Sequence, residues 1–314
     1  MNQFYISSFL TKQKALKTLI IFLLSLNIAH AKIARDFKVG SGSKGAIFYP
    51  TAFNICEIYN KYTELPRKCQ AETSNGAYRN LVNLQRSRID LGISQSSLQY
   101  KHYNDEDDDL RTVTFLHNEY FTILVNDKIN SFEDLLDKRV NLGNMGSGSY
   151  LYFKRIMEAK GWKNKEFEKV YLQPSSMIAK MFCDGQIDAA IYSVGHPNSI
   201  FDRAINECGG RILSLSKDEV AELTAILPEY IPANMTKKIY KKQPNDVKTI
   251  AVPIVLSASK DLDETIVYDL LNIVTKHREE LVKAHPVFKQ INFQLKPKTK
   301  TAPLHKGAEK FYNN

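Results

Sequence analysis

A chain of 314 residues, 43% apolar and 25% charged, with a formal charge of +9, is long enough to bury one large core or two medium ones. The positive charge is scattered. Lys12, Lys14 and Lys17 fall in the first 31 residues, and Lys296, Lys298, Lys300, Lys306 and Lys310 fall in the tail. No concentrated basic stripe with interleaved aromatics is present, which excludes a nucleic-acid surface.

The N-terminus reads first as a targeting segment. Its three lysines precede a mostly apolar run, Leu19–Ile28, and Ala29-His30-Ala31 supplies a small-x-small cleavage site. The apolar run is about half the roughly 20 residues a spanning helix needs, so cleavage is expected rather than retention as an anchor. Residues 1–31 are read as a signal peptide and the protein as periplasmic. Without those three lysines the charge falls from +9 to +6.

Beyond residue 31, β-rich runs and helical patterns alternate with short connections. Phe37–Val39 reads as a strand and Tyr49–Tyr62 as a helix with Pro50 in its first turn, where proline is tolerated. Gln70–Glu72 is a short strand, Ala77–Arg86 a helix, and Ile89–Ile93 a strand. Val113–Leu116 and Phe121–Val125 are two further strands. Ser131, three residues before Asp134, marks a helix start of capping-box type. Arg139–Leu142, Val170–Leu172, Ile187–Tyr192 and Ile212–Leu215 read as strands. Between them Tyr150–Ala159, Ser175–Phe182 and Asn198–Asn206 read as helices. Thr249–Ser257 is a long β-rich run, and Glu264–Lys283 a long helix.

This order predicts a parallel-sheet α/β protein. Two sets of elements, Phe37–Leu116 and Arg139–Leu215, suggest two similar lobes, with Phe121–Val125 and Thr249–Ser257 as crossings. The predicted organisation is lobe one at 32–122 plus 250–314 and lobe two at 123–249, with a ligand site between them. A single continuous doubly wound sheet predicts the same elements.

Five small-residue loops follow apparent strands: Gly40–Gly45, Thr73–Ala77, Ser94–Ser97, Gly143–Ser149 and Ser193–Asn198. Such loops present backbone N–H groups and hydroxyls at helix N-termini, which suits a small anion. A carboxylate in a water-poor cleft needs several charge-assisted hydrogen bonds. Ser43, Ser74, Ser96, Ser147 and Ser149 offer hydroxyls for it, and Asn75, Gly76 and Gly148 lie in the same loops. Tyr49 is placed to cover the ligand, and Lys44 to pair with a second carboxylate. Gln95 and His117 are further candidates in lobe one, Gly195 and His196 in lobe two.

The four cysteines, Cys56, Cys69, Cys183 and Cys208, allow three disulfide connectivities in an exported chain. The local pairs Cys56–Cys69 and Cys183–Cys208 are preferred, each tying a helix to a nearby strand or helix end.

Other chemistries lack their residues. Gly40-x-Gly42-x-x-Gly45 resembles a dinucleotide fingerprint but has no acid at the right distance. The P-loop Lys-Ser/Thr pair and the GxSxG elbow are absent. The seven histidines show no metal spacing, and Asp105–Asp109 lacks the glycine and distal glutamate of a calcium loop. No cofactor, metal or catalytic residue is expected.

These motifs together resemble the TAXI family, the extracytoplasmic solute receptors of TRAP transporters. GSGSKGAIFYP is similar to its N-terminal signature, and ETSNGAYRNLVNLQRSRIDLGISQSS to its next block, including the Asn-Leu pair and the Gln-Ser ending. SFEDLLDKRVNLGNMGSGS, CDGQIDAAIYSVGHPN and APLHKGAEKFY echo later segments in the right order. The resemblance implies a type II periplasmic-binding-protein (Venus-flytrap) fold that closes on a small organic anion. It implies ligands such as glutamate or 2-oxoglutarate, delivery to TRAP membrane subunits, and a monomer. Lys44, Asn75, Arg79 and Lys306 depart from the family's usual residues, and the first two lie where they would alter ligand choice. The competing class is an exported enzyme on the same two-lobe fold, which would need a catalytic base or nucleophile with a partner in the cleft.

Overall fold

The computed structural model describes residues 35–42, 47–105, 109–145, 147–291, 293 and 300–314. The signal-peptide reading and the candidates Ser43 and Lys44 therefore lie outside the described residues.

The elements in chain order are β1 (Phe37–Gly40), α1 (Phe48–Tyr62), β2 (Cys69–Glu72), α2 (Ala77–Gln85), β3 (Leu91–Gln95), α3 (Ser96–Asp105) and β4 (Leu110–Val125). There follow β5 (Arg139–Asn141), α4 (Gly148–Lys160), β6 (Lys169–Tyr171), α5 (Ile178–Cys183), β7 (Ala189–Val194) and α6 (Ser199–Cys208). The chain continues through β8 (Arg211–Ile212), α7 (Lys217–Ile226), β9 (Ile231–Met235), β10 (Val247–Ser259), α8 (Glu264–Lys276), α9 (Arg278–Ala284) and α10 (Lys306–Asn313).

The fold is α/β with two lobes. Among the described residues the strands form one sheet in the order β2-β1-β3-β10-β4-β7-β5-β6, with β8 beside β4 and β9 beside β10. In the first lobe β1 pairs parallel with β2 and β3. In the second β5 pairs parallel with β6 and β7. β4 and β10 run antiparallel to each other through both lobes, β10 pairing with β3 and β4 pairing with β7. The two expected crossings are thus stretches of two long strands.

Both faces of this sheet are covered. In lobe one, Val39, Leu91, Ile93, Ile254 and Leu256 meet Ile55 and Tyr59 of α1 and Val267, Leu271 and Val274 of α8. Leu81, Leu84, Ile89 and Leu110 close the other face. In lobe two, alternate residues of β4 face opposite ways, as strand geometry requires. Phe121, Ile123 and Val125 pack with Phe153 and Ile156 of α4, whereas Tyr120 and Leu124 pack with Phe201 and Ile205 of α6. Disulfides join Cys56 of α1 to Cys69 of β2 and Cys183 of α5 to Cys208 of α6. Both preferred pairings form.

Several elements differ from the sequence reading. Val113–Leu116 and Phe121–Val125 are one strand of 16 residues. The start at Ser131 leads to a single 3-10 turn, Glu133–Leu135, although Asp134 N–H does donate to Ser131 Oγ. The long C-terminal helix is interrupted at His277, which ends α8 and precedes α9. Helices α3, α7 and α10 and strand β9 were not expected. α3 carries few apolar residues, and α7 declares itself mainly through its capping box, Ser216 with Glu219.

Candidate functional site

Register places the site. In lobe one the chain leaves β3 at Gln95, which lies opposite Ile254 of β10; Ile254 in turn lies opposite His117 of β4. In lobe two the chain leaves β7 at Val194, opposite Tyr120 of β4. The carboxyl ends of the parallel strands in both lobes therefore converge on His117–Tyr120. Ligands of open α/β sheets bind at such carboxyl ends.

One residue locks the lobe-one loops. Asn80, fully buried on α2, donates from Nδ2 to the Ser41 carbonyl at 2.7 Å and the Ile93 carbonyl at 2.8 Å. Its Oδ1 lies 2.6 Å from the Ser74 hydroxyl, which is also 2.8 Å from the Ser41 carbonyl and accepts from Gly76 N–H. Ser41 adds a hydroxyl bond to the Glu72 carbonyl. The loops after β1 and β2 and the end of β3 are thus held by one amide. Gly40 is glycine because a Cβ there would sit 2.7 Å from Asn80 Oδ1. Asn75 is exposed, and Gly76 holds φ 92, a left-handed conformation natural to glycine. Ser74 is a brace for this loop, its hydroxyl committed inward.

In lobe two Ser147 caps α4 by accepting from Tyr150 N–H at 3.2 Å. Buried Ser149 accepts from Ser193 N–H at 2.9 Å, and Ser193 Oγ bonds the Tyr230 hydroxyl at 2.7 Å. Tyr152 stacks edge-on against Tyr230 with centroids 5.0 Å apart. Gly148 is exposed at the start of the helix.

The floor holds a residue the sequence reading missed. Glu119 is half-buried on β4 and accepts from Gln95 Nε2 at 3.2 Å. Burial pushes its carboxyl up to about 7, and the Gln95 hydrogen bond pulls the other way. Tyr152 and Tyr230 are both held above the ordinary tyrosine range, chiefly by burial, with the Glu119 charge adding to the rise. Glu119 and Gln95 are joined by that hydrogen bond, and the Glu119 charge is felt at both tyrosines. A cleft of about 1100 Å³, lined in part by Ser96 and Tyr152, lies between α3 on one side and α4 and the Pro228–Ile231 segment on the other. Its lining carries Ser96, Lys101, Lys154, Arg155 and Lys300, and Arg155 is paired with Glu229.

Two predicted histidines do not reach the cleft. His196 is buried. Its Nε2 lies 2.7 Å from Thr122 Oγ1, and its Nδ1 faces the Tyr240 hydroxyl, which also accepts from Asn198 N–H. A neutral ring with its proton on Nε2 satisfies every partner. Burial pushes His196 down to about 3. His117 is likewise fully buried, with neither ring nitrogen hydrogen-bonded among the described residues. Burial brings it to about 3 as well, with His285 adding to the shift. Gly195 lets lobe two approach this ring, since a Cβ there would lie 3.4 Å from His117 Cδ2 and 3.1 Å from Val287. His117, His196 and Gly195 lie together where the end of β7 meets β4. Tyr49 is half-buried and stacks on Phe53, 6.1 Å between centroids.

Ser96 and Tyr152 thus line a cleft between the two lobes, and Gln95, hydrogen-bonded to Glu119, directly precedes Ser96 at the end of β3. Residues 39–314 match the NMT1-like family, and the chain belongs to it. In overall shape the chain is similar to a point mutant of full-length BenM, with a TM-score of 0.50 at 13% identity, covering 87% of this chain and 77% of that one. It is also similar to the periplasmic aliphatic sulphonate binding protein SsuA from Escherichia coli, at 16% identity and TM-score 0.46 over 81% of each chain. The MOPS-bound alkanesulfonate-binding SsuA from Xanthomonas axonopodis pv. citri matches at 13% and 0.45, covering 90% of this chain and 84% of that one. At these identities the likeness concerns the fold. No described helix is long and apolar enough to cross a membrane.

Proposed function

We propose that the protein is a periplasmic substrate-binding receptor. It captures a small organic anion, an acidic amino acid or a dicarboxylate, and hands it to a membrane transporter of the TRAP type that the TAXI resemblance implies. In this reading residues 1–31 are the signal peptide, lobe one is 32–122 plus 250–314, and lobe two is 123–249. The receptor acts as a monomer and carries out no reaction.

The observation that carries the reading is the convergence of small-residue strand ends from both lobes on His117–Tyr120. A ligand seated there touches both lobes, so it stabilises the closed arrangement by whatever contacts the open one lacks. Lys101 and Lys300 line the cleft beside the pairs Lys154–Glu158 and Arg155–Glu229, and the charge these two lysines leave unbalanced favours the approach of anions. The N-terminus of α4, with Gly148 and Ser149, and the loops braced by Asn80 provide amides for carboxylate oxygens. Lys44 remains the residue assigned to a second carboxylate.

A thermal-shift screen of the mature chain tests this. The panel is glutamate, glutamine, 2-oxoglutarate, succinate and an alkanesulfonate. A true ligand at 100 times its Kd adds about 2.7 kcal/mol of stability, and X-ray scattering should then show a smaller radius of gyration. Stabilisation by the sulfonate alone, or stabilisation without compaction, would overturn the dicarboxylate or the closure half of the reading.

A further inference from the structure

We propose that Glu119 is the specificity residue of this cleft, accepting a hydrogen bond from an amine on the ligand, so that the receptor selects amino acids over their keto or amine-free analogues. The proposal rests on the receptor reading above and narrows its ligand class.

Three observations carry it. The first is position. Glu119 sits within the four residues on which the strand ends of both lobes converge, so a ligand spanning the lobes lies over it. The second is its incomplete set of partners. A carboxylate has about four acceptor sites. Among the described residues Glu119 accepts one side-chain hydrogen bond, from Gln95, and forms no ion pair. The third is orientation. Gln95 holds one carboxylate oxygen from the lobe-one side, while Tyr152, which lines the cleft, and Tyr230 belong to lobe two and pack edge-on against each other. The tyrosines stay neutral, and among the described residues no cation is paired with Glu119.

Charge then decides the ligand. A dicarboxylate lowered onto Glu119 either meets like charge or requires the acid to hold its proton. The same molecule with an ammonium beside one carboxylate supplies the missing cation and donors, while its carboxylates turn to the loop amides and to α4. Burial raises the Glu119 carboxyl to about 7, against the pull of the Gln95 hydrogen bond. Cationic residues at the mouth and an anion at the floor fit a ligand that is negative overall yet carries one positive group.

The test is calorimetric titration of the mature protein and its Glu119→Gln variant with glutamate, glutamine, 2-oxoglutarate and succinate. The variant keeps size and shape, and thermal melting should show it as stable as the parent or slightly more so, which separates site from scaffold. In the parent, an amine-bearing ligand is expected to bind at least about tenfold more tightly than its keto or amine-free analogue, as one charge-assisted hydrogen bond allows. In Glu119→Gln that ligand should weaken by about 10- to 100-fold while 2-oxoglutarate and succinate hold or improve. Equal parental affinity for glutamate and 2-oxoglutarate, or an unchanged preference in the variant, overturns the proposal and leaves the receptor reading standing. Preference for glutamine over both diacids, lost in the variant, supports the proposal and overturns the acidic-ligand reading. A parent that binds no amine in the panel overturns the proposal.

Discussion

Asn80 shows how one side chain can organise a site it never touches. Its amide nitrogen serves two carbonyls and its oxygen receives Ser74, joining the loops after β1 and β2 to the end of β3. Asn80→Ala strands these buried groups and is expected to cost about 2–4 kcal/mol, at roughly 1–3 kcal/mol for each unsatisfied group with some relief from water. Asn80→Asp should be at least as harmful, because a carboxylate cannot donate to the Ser41 and Ile93 carbonyls. Denaturant melts of the two variants check this, and an aspartate as stable as the parent would show that the amide donors are dispensable. The sequence reading counts Asn80 only within a familiar Asn-Leu pair and assigns the chemistry to Ser74. A hydroxyl in a glycine-rich loop advertises itself, whereas the residue six positions on that consumes it looks like any polar residue in a helix. Glu119 escapes notice for a related reason: a single acid in a β-rich run, with no second acid at catalytic spacing, carries no motif.

At the scale of elements, the legible parts are those with a strong period. β1, α1, β3, β5, β7 and α6 lie within a few residues of their expected bounds. β4 is split in the sequence reading because His117-Asn118-Glu119-Tyr120 interrupts two apolar runs. The interruption is the stretch of β4 that the strand ends of both lobes approach. The C-terminal segment gives a second case. His305 caps α10 by accepting from Gly307 N–H and contacts the Leu262 carbonyl at 2.9 Å. Gly307 lies so close to α8 that a Cβ would stand 2.3 Å from the Glu264 carbonyl oxygen and 2.9 Å from Val267. Backbone cannot yield as a flexible side chain can, so Gly307→Ala should push α10 off α8 and lower stability by about 3 kcal/mol. Thermal melting checks this, and a variant as stable as the parent would mean α10 adjusts freely. In this structure the histidine and glycine of the segment serve the packing of α10 on α8.

For the whole molecule, the seam between lobes is built on neutral histidines. His117 and His196 are each held near 3 by burial, against about 6.5 when unfolded. Folding therefore favours their uncharged forms. Their contribution to stability is fully present above pH 6.5 and is lost as pH falls toward 3. His285 and His305 are shifted the same way. Glu119, raised to about 7, has the opposite sign: its contribution is present below its ordinary value and is lost as pH rises through 7. The histidines outnumber it and two of them shift further. Unfolding between pH 5 and 6.5 is then expected to take up protons, and the urea midpoint should fall over that window. A midpoint that is flat or rises on acidification would contradict the buried, neutral state of the seam.

The two strands that pass through both lobes have a mechanical consequence. Lobes joined by loops can pivot without resistance, but here any rotation must twist a pair of hydrogen-bonded ribbons. The pairing of β4 with β10 is irregular between Ile254 and Val255 and between Leu256 and Ser257, and Pro253, which has no N–H, lies opposite Asn118. The first break lies opposite His117 and Phe115 and the second opposite Thr114 and Thr112, while the register from His117 to Tyr120 runs in step. The ladder is therefore interrupted on the lobe-one side of the place where the lobes meet. Gln290, bonded to Asn118 N–H on one side and the His196 carbonyl on the other, spans that place like a clip. Whatever turns one lobe against the other must act through the backbone of these two strands.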